Sequence, residues 1–356
     1  MDKELNNNSN NASFNCPVPI GNYKKILLAH GSGGRLTNEL IKNLFLPSFN
    51  SEILNQLHDG AVINLNSKKI AFTTDSYVVQ PIFFPGGDIG KLAVYGTVND
   101  LSVCGAKPLF ISLSFIIEEG LPVEVLCKIV QSIKEASDEC KVKVVTGDTK
   151  VVEKGKGDNI FINTSGIGEM YDGVEISPAR CRNGDVVILN GFIAEHGMSI
   201  ISSREDIGFE TKIKSDCAPL NSLVEDILKA TEDIHVMRDP TRGGLSSALN
   251  EIAEAGKCGI EIIEEKIPVS EEVKGACELL GFDPLYVANE GKILVFVPEK
   301  DSEKVLYAMK KNKYGEHSEI IGKVTNEFPG KVILKTSIGS RRIVDMLSGE
   351  QLPRIC

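Results

Sequence analysis

Four short stretches place a carboxylate or amide where an apolar segment ends: "LHDGAV" with Asp59, "TTDSYVV" with Asp75, "GTVNDLS" with Asn99 and Asp100, and "VTGDTKVV" with Asp148. Singly, each is the ordinary signature of a cap or turn, because short polar side chains bond the local backbone. Repeated, they supply the hard oxygen ligands favoured by Mg²⁺ bound to a nucleotide. A metal-nucleotide site is therefore the leading reading. Three glycine turns lend weaker support. "HGSGGR" lacks the Gly-Lys-Ser/Thr ending of a Walker loop, yet its amides suit phosphate. "PGGDIGK" offers a similar loop with Lys91, and "MRDPTRGGL" sets Asp239 and Arg242 ahead of a helix N-terminus, where anions are favoured. A nucleophile completes the set: the sequence closes on "PRIC" with Cys356.

The rest of the chain must position these groups. With 356 residues, 42% of them hydrophobic and 25% charged, it is long and apolar enough for two globular domains. A formal charge of −10 without a dense Lys/Arg block argues against nucleic acid as a partner. No apolar run approaches the roughly 18 to 20 residues of a membrane span, and the Asn-rich opening lacks the pattern of a signal peptide. A cytoplasmic location is expected. None of the nine cysteines forms a C-x-x-C pair, so most are read as small buried hydrophobes.

Hydrophobic periodicity predicts strands at "KKIAFTTD", "LFISLSFII", "KVKVV" and "NIFINTSGIGE", the first of these paired with "AVINLN". Helices are predicted over "TNELIKNLFL", with Thr37 as N-cap, and over 122–139. Further on, strands "DVVIL", "GIEII", "KILVFV" and "SEIIGKV" alternate with helices at 195–203, 220–230, 243–255 and 270–280. The expected organisation is α+β: a disordered tail 1–22, two α/β domains at 23–171 and 172–335, and a segment 336–356 ending in a mobile tail.

The stretch "FTTDSYVVQPIFFPGGDIGKLAVYGTVNDLSVCGAKP", with "VTGDTKVV", "RDPTRGGL", "ANEGK" and "PRIC", resembles the hydrogenase maturation factors of the HypE family. That family lies within the PurM-like superfamily of ATP-dependent enzymes that includes aminoimidazole ribonucleotide synthetase and selenophosphate synthetase. The resemblance implies two domains of that type, a homodimer formed through the first domains, and ATP with Mg²⁺ as cofactors. It implies Mg²⁺ held by some of Asp59, Asp75, Asp100 and Asp148, with the nucleotide unit also met by Lys91, Asn99, Gly147, Thr149, Asp239 and Arg242. It further implies that Cys356 carries the substrate. A carbamoyl group from HypF would be dehydrated there to a thiocyanate, and the cyanide passed to iron on the HypC-HypD complex. Oxygen attack on the γ-phosphorus, then loss of phosphate and an N–H proton, accounts for that conversion, and it needs phosphoryl charge stabilised and a base near nitrogen. Glu290 is expected as proton acceptor and Lys150 as orienter, or the reverse. A selenophosphate synthetase is the rival, but Cys16 lies in Asn-rich sequence without the glycine-rich context it would need.

Overall fold

The computed structural model describes residues 23–31, 35–53, 55, 65, 69–204, 212–347 and 355–356. Most of the expected strand "AVINLN", together with Asp59 and with Gly33 and Gly34 of "HGSGGR", lies outside the described residues.

A four-stranded sheet, in the order β1-β6-β4-β5, organises the first half of the chain. Its strands are β1 (Ile70–Tyr77), β4 (Ala106–Glu118), β5 (Lys143–Val152) and β6 (Ile160–Met170). A short ribbon of β2 (Phe83–Phe84) and β3 (Gly87–Asp88) leads into helix α3 (Ile89–Val103), which with α4 (Val123–Cys140) covers one face. Helical segments α1 (Arg35–Leu40) and α2 (Leu46–Phe49), joined by a π turn, precede them. Helix α1 starts at Arg35, two residues before Thr37, so Thr37 is not the cap that was expected. Alternation explains the sheet. In β1 the side chains of Ile70, Phe72, Thr74 and Ser76 are exposed, while the intervening residues face the helices. The opposite face of the sheet also carries Ile116, again exposed.

The second half builds a seven-stranded sheet in the order β13-β12-β9-β11-β7-β10-β8. Its strands are β7 (Asp185–Leu189), β8 (Val236–Arg238), β9 (Gly259–Ile263), β10 (Leu294–Pro298), β11 (Glu319–Thr325), β12 (Val332–Lys335) and β13 (Arg341–Val344). Here the apolar runs are continuous because both faces are buried. Val187 and Leu189 pack with α7 (Gly244–Gly256), whereas Val186 and Ile188 pack with α6 (Asn221–Ala230) and α9 (Glu299–Lys311). Helices α5 (Glu195–Ser202) and α8 (Glu271–Leu280) turn the other way and join the core of the first sheet. The two halves therefore share apolar packing.

One sequence expectation changes. "PGGDIGK" is no phosphate loop: Asp88 caps α3 by accepting from the Gly90 and Lys91 amides, so Lys91 belongs to a helical first turn. "GTVNDLS" lies at a helix end, with Asn99 and Asp100 in the last turns of α3. Asn99 is only 1% exposed and is held by the second half of the chain. Its Nδ2 donates to the Ala218 and Glu290 carbonyls at 3.0 and 3.1 Å, and its Oδ1 accepts from the Leu220 amide at 2.7 Å. Both Nδ2 hydrogens are thus taken, and only the second lone pair of Oδ1 is left for the nucleotide-metal contact expected of it.

Asn99→Ala strips three buried backbone groups of their partner, and each such loss costs about 1–3 kcal/mol. The expected outcome is a clear drop in the urea midpoint. Asn99→Asp should behave similarly, because a carboxylate cannot donate to the two carbonyls. If Asn99→Asp instead keeps the wild-type midpoint while weakening ATP binding, the clamp is not its role.

Candidate active site

A cavity of about 430 Å³ opens where the two halves meet. Strand β1 contributes Thr73, Asp75 and Tyr77, α3 contributes Gly96 and Asp100, the end of β8 contributes Arg238, and the β8-α7 loop contributes Asp239 and Arg242. Glu290 and Cys356 complete the wall. The close approach of β1 and α3 depends on Gly96, where a Cβ would sit 2.3 Å from the Tyr77 hydroxyl.

Neighbours hold Asp100, Arg238 and the backbone of Glu290 in place. Asp100 Oδ2 accepts from Thr73 Oγ1 at 2.8 Å, and Arg238 pairs with Glu251 at 2.6 Å. Glu290 is held through its backbone: its amide donates to Asp216 Oδ1 at 3.1 Å while its carbonyl accepts from Asn99. Asp216 is in turn paired with Lys292 at 3.4 Å. Gly291 lets this loop approach, because a Cβ there would meet the Asp216 carbonyl at 2.0 Å.

Crowding of like charge in a partly buried wall shifts the protonation equilibria. Burial, then Asp100 and Asp75, pushes Asp239 up to about 7. Asp100 is raised by burial and by Asp75, against the pull of Thr73 and the two arginines. Glu290, 5% exposed, is pushed well above the usual carboxylate range by burial and by Asp216, Asp239 and Asp75. The Cys356 thiol is likewise raised, by burial first and then by Glu290. In this arrangement Cys356 is a protected thiol.

Cys356 is seated, not loose. Its main-chain oxygen accepts from the Val78 amide at 3.1 Å, Ile355 forms an antiparallel bridge with Val79, and the Ile355 carbonyl meets His196 Nε2 at 2.6 Å. The expected mobile tail thus has its last two residues docked on the first core, Ile355 being 7% exposed.

The structure unites Glu290, Cys356, Asp75, Asp100, Asp239 and Arg242, but not Lys91, Gly147, Asp148, Thr149 or Lys150. Register gives the reason. Asp75 shares a row with Thr164, Leu113 and Gly147, and Asp148 shares the next row with Ser114, Asn163 and Ser76. Adjacent rows point to opposite faces. Asp75 and Asp148 are also three strands apart, about 14 Å at the usual strand spacing. Within one chain they cannot ligate one ion. Lys150 lies on the Asp148 side, 3.9 Å from that carboxylate, and both are largely exposed. Among the described residues no three His, Cys, Asp or Glu side chains are grouped to hold a metal. Sequence reasoning missed Thr73, Tyr77, Arg238 and His196; the first three had a signal, standing in "TTDSYVV" and "MRDPTRGGL" beside Asp75 and Asp239, and His196 had none.

This two-sheet fold with an acidic cavity at the junction defines the class. The family "AIR synthase related protein" matches through its N-terminal domain over residues 57–170 and its C-terminal domain over 182–335. The chain belongs to the HypE carbamoyl dehydratase family within that class. It is 48% identical over 329 residues to a carbamoyl dehydratase HypE of Azotobacter vinelandii, covering 92% of this chain and 96% of that protein. A crystal structure of HypE in complex with ATP superposes with a TM-score of 0.89 at 46% identity, over 93% of this chain and 99% of that one. HypE in a HypE-HypF complex gives a TM-score of 0.76 at 51% identity, over 88% and 100%. Among the described residues no helix is long and apolar enough to cross a membrane.

Asp239 couples stability to pH. Its pKa is raised on folding, so its contribution to stability is full below the unfolded value and is lost as pH rises through the folded one. The Tm advantage of Asp239→Asn over wild type should therefore grow between pH 3.8 and about 7 and then level off. A constant difference across thermal melts in that window would show that the crowding is absent.

Proposed function

We propose that the chain uses ATP to dehydrate an S-carbamoyl group on Cys356 to a thiocyanate, supplying the cyanide ligand for the iron of nickel-iron hydrogenases. The observation that carries this reading is Cys356 docked beside Glu290 in a cavity walled by Asp75, Asp100, Asp239 and two arginines. HypF as carbamoyl donor and the HypC-HypD complex as cyanide acceptor are the partners that follow from it, and a cytoplasmic setting suits them.

The donor set fits Mg²⁺ carried by a nucleotide. Asp75 and Asp100 are hard oxygen ligands whose mutual repulsion a cation relieves, and Mg²⁺ ordinarily takes one or two carboxylates and lets phosphates and water complete its shell. Bound there, Mg²⁺ would neutralise phosphate charge. Arg242 faces the same space and suits a phosphate. Partial burial shields the Cys356 sulfur, and the backbone grip on residues 355 and 356 would hold a carbamoyl group on that sulfur beside Glu290. Glu290 takes the N–H proton. Because its carboxyl is raised, it becomes an effective base only when cationic groups enter the cavity and lower it again.

A second copy of the chain is the proposed source of such a group. The open face of the first sheet presents exposed Ile70, Phe72 and Ile116 beside Asp148 and Lys150. A homodimer through this face would cover the apolar side chains and carry Asp148 and Lys150 toward the cavity of its partner. In that assembly Lys150 orients the carbamoyl group or phosphate, and Gly147, Thr149 and Lys91 lie near the nucleotide. Asp59 remains a candidate ligand.

Incubation with HypF, carbamoyl phosphate and ATP should give a Cys356 peptide that first gains carbamoyl and then loses one water. Glu290→Gln should stop at the carbamoylated mass; water loss at the wild-type rate would reassign the base. Mixed dimers test the second copy. Lys150→Ala and Glu290→Gln should each be inactive alone, yet their mixture should recover about a quarter of wild-type turnover, since random pairing leaves one intact site in half of the dimers. No recovery would place Lys150 in its own chain's site or outside catalysis.

A further inference from the structure

The grip on Ile355 comes from a relay that the dehydration chemistry does not itself require. His196, in the first turn of α5, is fully buried and stands edge-on to Phe84 with ring centroids 5.6 Å apart. Both ring nitrogens are used: Nδ1 lies 2.8 Å from Ser215 Oγ and Nε2 lies 2.6 Å from the Ile355 carbonyl. A carbonyl can only accept, so Nε2 carries the proton and Nδ1 accepts from the Ser215 hydroxyl. Ser215 Oγ in turn accepts from the Cys217 amide at 3.1 Å, and the Ser215 amide donates to the Pro85 carbonyl at 2.7 Å. Every hydrogen bond in the relay therefore has one direction only. Burial also lowers the His196 pKa, which keeps the ring neutral and this tautomer in place.

The relay is asymmetric in origin. His196 and Ser215 belong to the second half of the chain, whereas Val78 and Val79, which bond Cys356 and Ile355 on the other side, belong to the first. Residues 355 and 356 are thus pinched between the halves, next to Glu290. We propose that His196 is a positioning residue, a latch whose neutral Nε2–H holds the Ile355 carbonyl and so keeps Cys356 in the cavity, with Ser215 setting its tautomer. Loss of that bond leaves the tail held by the first half of the chain alone and so favours departure of the thiol from the cavity. Loading of Cys356 by another enzyme needs the released state, and dehydration in the cavity needs the latched one. The latch therefore sets the balance between the two half-reactions.

The direct test is alkylation of Cys356 by iodoacetamide in the full-length native chain, followed on the peptide that contains it. One hydrogen bond of this kind is worth about a tenfold change in the released fraction, so His196→Ala should be alkylated about tenfold faster than wild type. His196→Gln keeps a neutral N–H donor and should stay within about twofold of wild type, while Ser215→Ala, which loosens the tautomer, should fall between them, about threefold faster. Ser215→Ala and His196→Gln keep the question open to measurement should His196→Ala fail to fold. Unchanged rates in both His196→Ala and Ser215→Ala would overturn the latch. Equal acceleration in His196→Gln and His196→Ala would overturn it too, because ring volume and not the hydrogen bond would then matter.

A second arm rests on the function proposed above. In His196→Ala, HypF-dependent carbamoylation should be as fast as or faster than in wild type, and ATP-dependent water loss should be slower by a factor similar to the alkylation gain. A folding defect would slow both, and slower carbamoylation would count against the latch. If wild type shows neither modification, the functional reading fails, while the alkylation arm still decides whether His196 holds the tail.

Discussion

The geometry of the site rests on one buried amide. Asn99 projects from α3 into the second half of the chain and satisfies three backbone groups there, among them the carbonyl of Glu290. Buried backbone groups left unpaired are costly, so the loops at 218–220 and 290 follow α3 wherever the first sheet places it. The same helix carries Asp100 one residue later and Gly96 one turn earlier. One helix thus sets the floor of the cavity, one of its acids and the height of Glu290 together. A residue whose type suggested ligand contact proves to be the joint that makes a ligand site possible.

From that joint follows an unusual electrostatic state. Several carboxyls and a thiol face one another with two guanidinium groups nearby, and burial raises Asp100, Asp239, Glu290 and Cys356 alike. Left alone, the cavity relieves its own repulsion by holding protons. Cations relieve it differently, by restoring the carboxylates. On the proposed reading, arrival of the metal-nucleotide and of a partner's Lys150 is therefore what converts Glu290 from acid to base, and it does so only where the docked tail already shields the site.

Docking depends on both halves of the chain at once. The backbone of residues 355 and 356 is bridged to the segment after β1 on one side and to α5 on the other. Neither contact uses the sulfur. A carrier that must be charged in one place and processed in another needs such an arrangement, in which main-chain atoms provide the hold and the reactive atom stays uncommitted.

Much of this was legible in the chain itself. Continuous apolar runs such as "DVVIL" announce strands covered on both faces, the alternation in "IAFTTDSY" announces one open face, and the i, i+3, i+4 stripe of 122–139 announces α4; these are local periodicities, which sequence carries directly. The motif "RDPTRGGL" and the pair Glu290 and Cys356 were likewise readable as chemistry. What the sequence could not supply was parity and convergence. Asp75 and Asp148 look equivalent as strand-end carboxylates, yet strand register sends them to opposite faces of one sheet. Asn99 and His196 look like a ligand and a lone histidine, yet the partners of Asn99 lie from 119 to 191 residues away and the Ile355 carbonyl that His196 holds lies 159 away. Residue types and spacing determined which groups could do chemistry. Only the packing of two sheets, through contacts remote in sequence, decided which of them meet.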